Sequence, residues 1–463
     1  MPEAATLRRA GAGQLVLLLA GSCLSVLGAV LIAPVLPQMT DHFTGVAGAG
    51  VLVPIVLTVP ALIIGLTAPF AGYIVDAVDR KRLLIAAMVG YAICGTAPLY
   101  LATLPAIIAS RVLVGLCEAA IMTCCTTLIA DYWSGPRRSR YLGLQTLLAS
   151  LSATVFLGLG GALGSSGWRT PFWLYTVALL LSVPMALLIW QPSRTTGALS
   201  PALSTALPQA GHSTTPGTPG ASSTPGASGA SSAASAASAA SAASAAGAAS
   251  AAGAAGAASA ASAVPVRRLP PLPWRRLRTP CLVTLAGGVV FYALIVELSF
   301  VLDEVGVTAT ATIGALSALM SLATALAAGS FARLSAQTPR RLLPIAFGLA
   351  AAGLLVLAAT DRIPVITTGA VLTGAGTGLL LPTLLTWATN SLTFAERGRG
   401  TGLWTGTLFI GEFLSPLLIT ALSAATGGLR PALGTLGLAT AVLAAATPLI
   451  VPRSATPLNI TQD

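Results

Sequence analysis

Twelve apolar stretches divide this chain of 463 residues, and their length is the strongest constraint on its fold. Each stretch runs for roughly 20 residues, which is the length that an α-helix needs to cross about 30 Å of hydrocarbon. A backbone in lipid must satisfy its own hydrogen bonds, and a helix does so. The sequence therefore predicts an all-α integral membrane protein with transmembrane helices at 14–37, 49–73, 83–103, 105–130, 142–165, 170–190, 280–301, 311–334, 342–360, 363–388, 402–425 and 431–451.

The composition supports the membrane assignment. Hydrophobic residues make up 55% of the chain and charged residues only 8%, whereas an ordinary soluble domain carries roughly 25% charged residues. So few charges could not cover a soluble fold, and the secreted and fibrous classes are excluded as well. The formal net charge of +11 would suggest a polyanion partner in a soluble protein. Here it is explained by the topology, and no nucleic-acid partner is expected.

The basic residues indicate how the chain is oriented. With Met1 in the cytoplasm, 20 of the 24 Lys and Arg residues fall on the cytoplasmic side. Membrane proteins carry such an excess of basic residues on their inner side, so both termini are expected to be cytoplasmic. The first apolar run, 15–36, could be read as a signal peptide, but it is long enough to span the membrane. We expect it to be an uncleaved first helix.

The chain is expected to consist of two membrane domains and a linker. An N-terminal six-helix bundle covers 14–190 and a C-terminal six-helix bundle covers 280–451, while 191–279 contains Thr-Pro-Gly and Ala-Ala-Ser repeats. A thirteenth crossing within 191–279 would move Arg340, Arg341 and later basic residues to the outside, so this segment is predicted to be a low-complexity cytoplasmic linker. Basic segments follow the second and fourth spans of both halves. Two similar halves of this kind are typical of secondary transporters.

The segment after the second span reads GYIVDAVDRKRLL, from Gly72 to Leu84. It resembles the Gly-x-x-x-Asp-(Arg)-x-Gly-Arg-(Arg/Lys) loop of the major facilitator superfamily, although Ala77 and Asp79 replace the usual basic residue and glycine. The resemblance implies a gating loop that consists of Gly72, Asp76, Arg80 and Lys81, with Asp131 at the inner end of the fourth span as its acidic partner. The alternative is a basic loop that serves orientation alone.

The fourth span contains a second match, RVLVGLCEAA, in which Arg111 and Gly115 fit the Arg-x-x-x-Gly motif of the same superfamily. An arginine within the membrane is costly unless it is paired or hydrated. Glu118 lies two turns further on, roughly 10.5 Å along the same face. Burial favours the protonated form of a carboxyl group and a nearby cation opposes this, so the pair could bind and release a proton. The alternative is a static polar contact between helices.

Two further acids and a glycine-rich segment complete the candidates. In this superfamily the first, fourth, seventh and tenth spans line the central cavity, which implies that Glu297 faces the substrate; alternatively, it extends to water from the outer end. Glu412 beside Pro416 is expected to stabilise helix packing instead. Gly160 and Gly164 are expected to form a small-xxx-small pair that contacts another helix. Gly115 of the fourth span is also expected to serve helix packing. The GLGGALG segment lies within an apolar helix, which excludes a dinucleotide fingerprint there.

The resemblance implies a transporter that works by alternating access, and the sequence is most similar to bacterial drug or metabolite:proton antiporters. We expect proton-coupled efflux of small hydrophobic or amphipathic compounds across the bacterial inner membrane, with Glu118 as proton carrier and Arg111 as its tuning partner. The alternative is a proton symporter that imports a small anionic metabolite on Arg111. An enzyme, a cofactor and a metal site are not expected, since the chain has only two histidines and no phosphate-binding loop. The protein is expected to function as a monomer in the bilayer.

Overall fold

The computed structural model describes residues 10–70, 78–191, 274–334, 337–393 and 396–452. Within these ranges twelve helices are long and apolar enough to cross a membrane, which confirms the predicted number. The first half contributes α1 (Ala12–His42), α2 (Ala49–Thr67), α3 (Arg80–Leu99), α4 (Leu104–Tyr132), α5 (Gly135–Gly164) and α6 (Thr170–Leu188). The second half contributes α7 (Trp274–Glu304), α8 (Thr310–Phe331), α9 (Pro339–Ala358), α10 (Ile363–Asn390), α11 (Arg397–Thr426) and α12 (Leu429–Ile450).

Several helices begin earlier than hydropathy predicts. Helices α3, α5 and α11 start at Arg80, Gly135 and Arg397, so the basic segments that the sequence places in loops form first helical turns instead. At the start of α3, the backbone N–H of Arg82 donates to Asp79 Oδ1 over 3.0 Å, which satisfies one of the free amides of that turn. Hydropathy marks only the part of a helix that lies in hydrocarbon, whereas intrahelical hydrogen bonds continue into water.

The boundaries around the predicted linker differ in the same way. Helix α7 starts at Trp274, so residues 274–279, which the sequence assigns to the linker, are helical. The remainder of that segment, 192–273, lies outside the described residues. Helix α1 is composite, because Ala12–Val30 is followed by a short 3-10 turn and then by Leu36–His42. Pro34 and Pro37 lie at this change, where a proline removes a backbone donor from the helical ladder.

The twelve helices form two bundles of six. In the first half α4 packs on α1, α2 and α3, and α6 packs on α1 and α3; in the second half α7 packs on α10 and α11, and α9 on α10 and α12. One buried hydrophobic cluster lies mainly in the first half and includes Tyr292 and Val296 of α7, and two further clusters lie in the second half. The halves meet mainly where α5 contacts α8 and where α2 contacts α11. Two pairs of helices therefore form most of the boundary between the bundles.

Glycines allow the helices to approach closely at several of these contacts. A Cβ atom at Gly161 would lie 2.6 Å from the Cα atom of Gly314, so α5 and α8 touch backbone to backbone across the boundary. At Gly160 a Cβ atom would overlap the carbonyl oxygen of Leu31 in α1. Gly115 of α4 lies in the same way against the backbone of Pro60 in α2, at 2.7 Å from its Cα atom. Larger residues at these positions would force the helices apart.

Candidate functional site

A cavity lies between the two bundles, with an empty volume of about 1010 Å³ that includes open solvent at its mouth. Helices α1, α2, α4 and α5 line it from the first half, and α7, α8, α10 and α11 line it from the second. Most of the lining is apolar, and Phe291, Tyr292 and Phe409 contribute aromatic rings. The charged residues of this lining are Glu118 on α4 and Glu412 on α11, one from each bundle. An apolar pocket with a few polar groups is the usual form of a small-molecule site.

Glu118 is almost completely buried, with 1% of its surface exposed. Its carboxyl group contacts Gly28 of α1, where a Cβ atom would overlap Oε1. Among the described residues neither carboxyl oxygen has a donor in hydrogen-bonding geometry. The hydroxyl of Tyr91 lies close by but donates to the backbone oxygen of Leu24 over 2.6 Å. An ionised carboxylate without a partner is costly in such surroundings, which makes the group suited to carrying a proton.

Arg111 is fully buried on the same helix as Glu118. Its Nη2 donates to the carbonyl oxygen of Gly28 over 3.1 Å and to the hydroxyl of Tyr175 over 2.7 Å. The guanidinium carbon also lies 5.0 Å from the centroid of the Tyr175 ring, within the range of a cation–π contact. The structure therefore brings Arg111 and Glu118 to the same glycine of α1, Arg111 to its carbonyl oxygen and Glu118 to the space beside its Cα atom. Arg111 is not part of the cavity lining.

The other two intramembrane acids, Glu297 and Glu412, lie differently with respect to the cavity from what the sequence analysis expects. Glu297 is buried in α7 with 5% of its surface exposed, but it does not line the cavity. Glu412, which the sequence analysis assigns to helix packing, does line it. The sequence shows Glu412 three residues after Phe409, which puts both on one helical face, and an intramembrane acid is a candidate functional residue by default. The spacing of Glu412 and Phe409 is thus the sequence signal that indicates a cavity position for Glu412.

The predicted gating loop is only partly described. Arg80 at the start of α3 forms an ion pair with Asp131 near the end of α4, which are the residues that the resemblance brings together. The backbone N–H of Lys81 donates to the side-chain oxygen of Gln191 over 3.4 Å. Gly72 and Asp76 lie outside the described residues. The ion pair connects the start of α3 with the end of α4 within the first bundle.

Hydrogen bonds also connect the two bundles. The Tyr292 hydroxyl of α7 donates to the carbonyl oxygen of Ala29 in α1 over 2.6 Å. Thr154 of α5 donates to the hydroxyl oxygen of Ser321 in α8 over 3.2 Å. Tyr292 and Ser321 both line the cavity, so these bonds lie at its wall. Contacts of this kind must break if the bundles move apart. No group of three or more residues suited to hold a metal ion is present in the described part of the chain.

Comparisons with known proteins agree with this architecture. The family model of the Major Facilitator Superfamily matches residues 18–302 and 280–461, which together cover most of the chain. A crystal structure of the human organic anion transporter MFSD10 (TETRAN) superimposes with a TM-score of 0.60 over 95% of this chain and 99% of its own, at 16% sequence identity. At this level of identity the likeness is one of fold.

Two curated relatives are similar over part of their length. Multidrug resistance protein 2 of Bacillus subtilis (strain 168) is 28% identical over 180 residues, which are 38% of this chain and 44% of the relative. Tetracycline resistance protein, class H, of Pasteurella multocida is 23% identical over 186 residues, 40% of this chain and 46% of the relative. The chain thus aligns with less than half of each of these proteins. The family match, which spans both bundles, and the twelve-helix fold establish that the chain belongs to the major facilitator superfamily of membrane transporters.

Proposed function

We propose that the protein exports small hydrophobic or amphipathic compounds from the cytoplasm in exchange for protons. The observation that carries the proposal is the apolar cavity between the bundles, with the buried and unpartnered carboxyl group of Glu118 in its wall. An apolar lining suits an apolar substrate. A carboxyl group without a donor is well placed to take up and release a proton as its surroundings change.

The contacts at Gly28 suggest how proton binding affects the bundle. While Glu118 is protonated, it needs no cation, and Arg111 is held by the Gly28 carbonyl and Tyr175. When Glu118 loses its proton, the carboxylate attracts the guanidinium group that donates to the Gly28 carbonyl oxygen. The attraction pulls on α1, which lines the cavity and carries the carbonyl bound by Tyr292 of the second bundle. Protonation and movement of the bundles are coupled in this way.

The direction of transport and the place in the cell are supported by sequence. The relatives named for multidrug and tetracycline resistance favour export, although each aligns over less than half of its length. The excess of basic residues on one side supports an orientation in the plasma membrane with both termini cytoplasmic. In that orientation the Arg80–Asp131 ion pair lies at the cytoplasmic end of the first bundle.

Import of an anionic metabolite would assign Arg111 a different task. It would need the guanidinium group in the cavity, where a substrate carboxylate could reach it. Arg111 does not line the cavity, and its Nη2 already donates to Gly28 and Tyr175. The geometry therefore does not favour binding of a substrate anion by Arg111. The Arg111→Lys variant separates the two, since an anion importer would lose binding steeply, whereas an exporter keeps partial activity.

The test uses everted membrane vesicles that contain the wild-type protein or the Glu118→Gln variant. The lumen is acidified, and lipophilic dyes, antibiotics and small organic acids are added one at a time while the pH gradient is recorded. An exporter moves the compound into the lumen and protons out, so the gradient collapses with the wild type and persists with the variant. Glu297→Gln is the matched control, because it changes a buried acid outside the cavity and should behave as the wild type. The proposal is refuted if none of the added compounds changes the pH gradient in vesicles with the wild-type protein.

A further inference from the structure

Glu412 is the second carboxyl group of the cavity and has no role in the proton step described above. It lies on α11 of the second bundle and exposes 2% of its surface, yet it is part of the cavity lining. Its Oε1 has no hydrogen-bond partner among the described residues. A buried polar group without a partner costs free energy, which helix packing alone does not recover. The position therefore calls for a ligand.

The packing of α11 on α7 fixes the direction of Glu412. A Cβ atom at Gly288 of α7 would lie 2.5 Å from the carbonyl oxygen of Leu408, and the Ser415 hydroxyl donates to the carbonyl oxygen of Val289 over 2.8 Å. Leu408 and Ser415 are seven residues apart, so they share the face of α11 that lies against α7. Glu412 lies four residues after Leu408 and three before Ser415, so it belongs to the edge of this face, where its side chain is part of the cavity lining.

Among the described residues, no cationic group forms an ion pair with Glu412. The cavity lining contains no lysine or arginine, and the ion pairs between described residues do not include Glu412. The lining hydroxyls are of little help, because most of them already donate to backbone carbonyls; these are Ser25, Ser150, Tyr292, Thr324, Thr373 and Thr377. Glu118 differs in this respect, since it shares its contact residue, Gly28, with the cation Arg111. A positively charged ligand group would thus find its complement at Glu412.

We propose that Glu412 binds the positively charged group of an amphipathic organic cation and is the residue that selects this class of substrate. Phe291, Tyr292 and Phe409 line the same cavity and offer aromatic surfaces that attract cations and pack against apolar rings. A cavity with two carboxyl groups and no basic side chain disfavours anions. The inference rests on the proposed export function and adds the substrate class and the residue that recognises it.

The experiment measures equilibrium binding to the purified full-length protein in detergent. The probes are tetraphenylphosphonium, a permanent cation, and triphenylphosphine oxide, a neutral compound with similar aromatic rings. Wild type is compared with Glu412→Gln, which keeps the shape of the side chain but removes its charge, and with the control Glu297→Gln. We expect the wild type and the control to bind the cation at least tenfold more tightly than the neutral probe. In Glu412→Gln we expect cation affinity to fall about tenfold or more, with neutral affinity unchanged.

Three results would overturn the inference: no cation preference in the wild type, undiminished cation binding by Glu412→Gln, or an equal loss of both probes in that variant. The wild-type comparison needs no variant, so the inference can be tested even if Glu412→Gln does not fold. Binding is measured without a proton gradient. A negative result in the binding experiment therefore refutes cation selection by Glu412 but not export, which the vesicle assay tests. A vesicle assay without any response refutes export but not cation binding.

Discussion

Gly28 is the residue around which the candidate proton site is organised. Its carbonyl oxygen accepts the hydrogen bond from Arg111, and the space of its missing side chain is filled by the carboxyl group of Glu118. Only glycine leaves room for such a close approach. The backbone of α1 therefore connects the cation and the acid of α4, and a small change at Gly28 should affect both.

The variant Gly28→Ala tests this arrangement. A new Cβ atom would overlap Glu118 Oε1, which is the far end of a flexible side chain, so the carboxyl group should move while the fold persists. We expect compound-driven proton movement to fall by roughly tenfold or more, because misplacing a reacting group is costly. Gly158→Ala is the control, since a Cβ atom at Gly158 meets nothing within 4 Å. Unchanged transport by Gly28→Ala would show that the contact is incidental.

The positions of some functional side chains could be predicted from the sequence, and those of others could not. The seven-residue spacing of Arg111 and Glu118 placed both on one face of a helix, and the structure brings both to Gly28. The role of Gly28 itself could not be predicted, because a contact between α1 and α4 depends on how distant segments pack. The same holds for Glu412. Helical spacing shows that it shares a face with Phe409, but not whether that face meets a helix or a cavity.

The transmembrane helices are the part of the structure that could be predicted best from the sequence. Hydropathy gave the number and order of the spans, because a membrane helix must be apolar over a fixed length. It misplaced helix ends such as Arg80 and Trp274, where helical backbone continues past the apolar core. Glycine spacing indicated contact faces in α5 but not the partner helix. The structure shows that Gly161 meets Gly314 of α8, in the other bundle.

This contact predicts the effect of a larger residue between the bundles. In Gly161→Val, the added side chain would meet the Gly314 backbone, which cannot move aside as a flexible side chain can. We expect the variant to lose about 1–3 kcal/mol of folding stability through overpacking. We also expect poor transport, because the added side chain prevents the close approach of α5 and α8. Thermal unfolding in detergent and dye transport measure the two effects. Gly158→Val on the same helix provides the comparison, and equal behaviour of the two variants would contradict the proposed contact.

The whole molecule combines two bundles with a binding cavity at their boundary. The main contacts between them are the α5–α8 and α2–α11 pairs, and the cavity draws its lining from both halves. A rocking motion about such a boundary exposes the cavity to one side of the membrane at a time. Glu118 and Glu412 place one carboxyl group of the cavity lining on each bundle. In the proposed mechanism a proton binds to the first of these groups and a substrate to the second. We propose that proton binding and substrate binding are coupled through this motion.

Dye uptake by liposomes that contain the purified protein tests the coupling most directly. An acidic lumen is imposed on vesicles with wild type, Glu118→Gln or Glu297→Gln, and a panel of lipophilic fluorescent dyes is supplied outside. We expect at least one dye to accumulate in the lumen with wild type and Glu297→Gln as protons leave, and no dye to accumulate with Glu118→Gln. Dye distributions that are the same with and without the pH gradient, across the whole panel, would contradict the coupling.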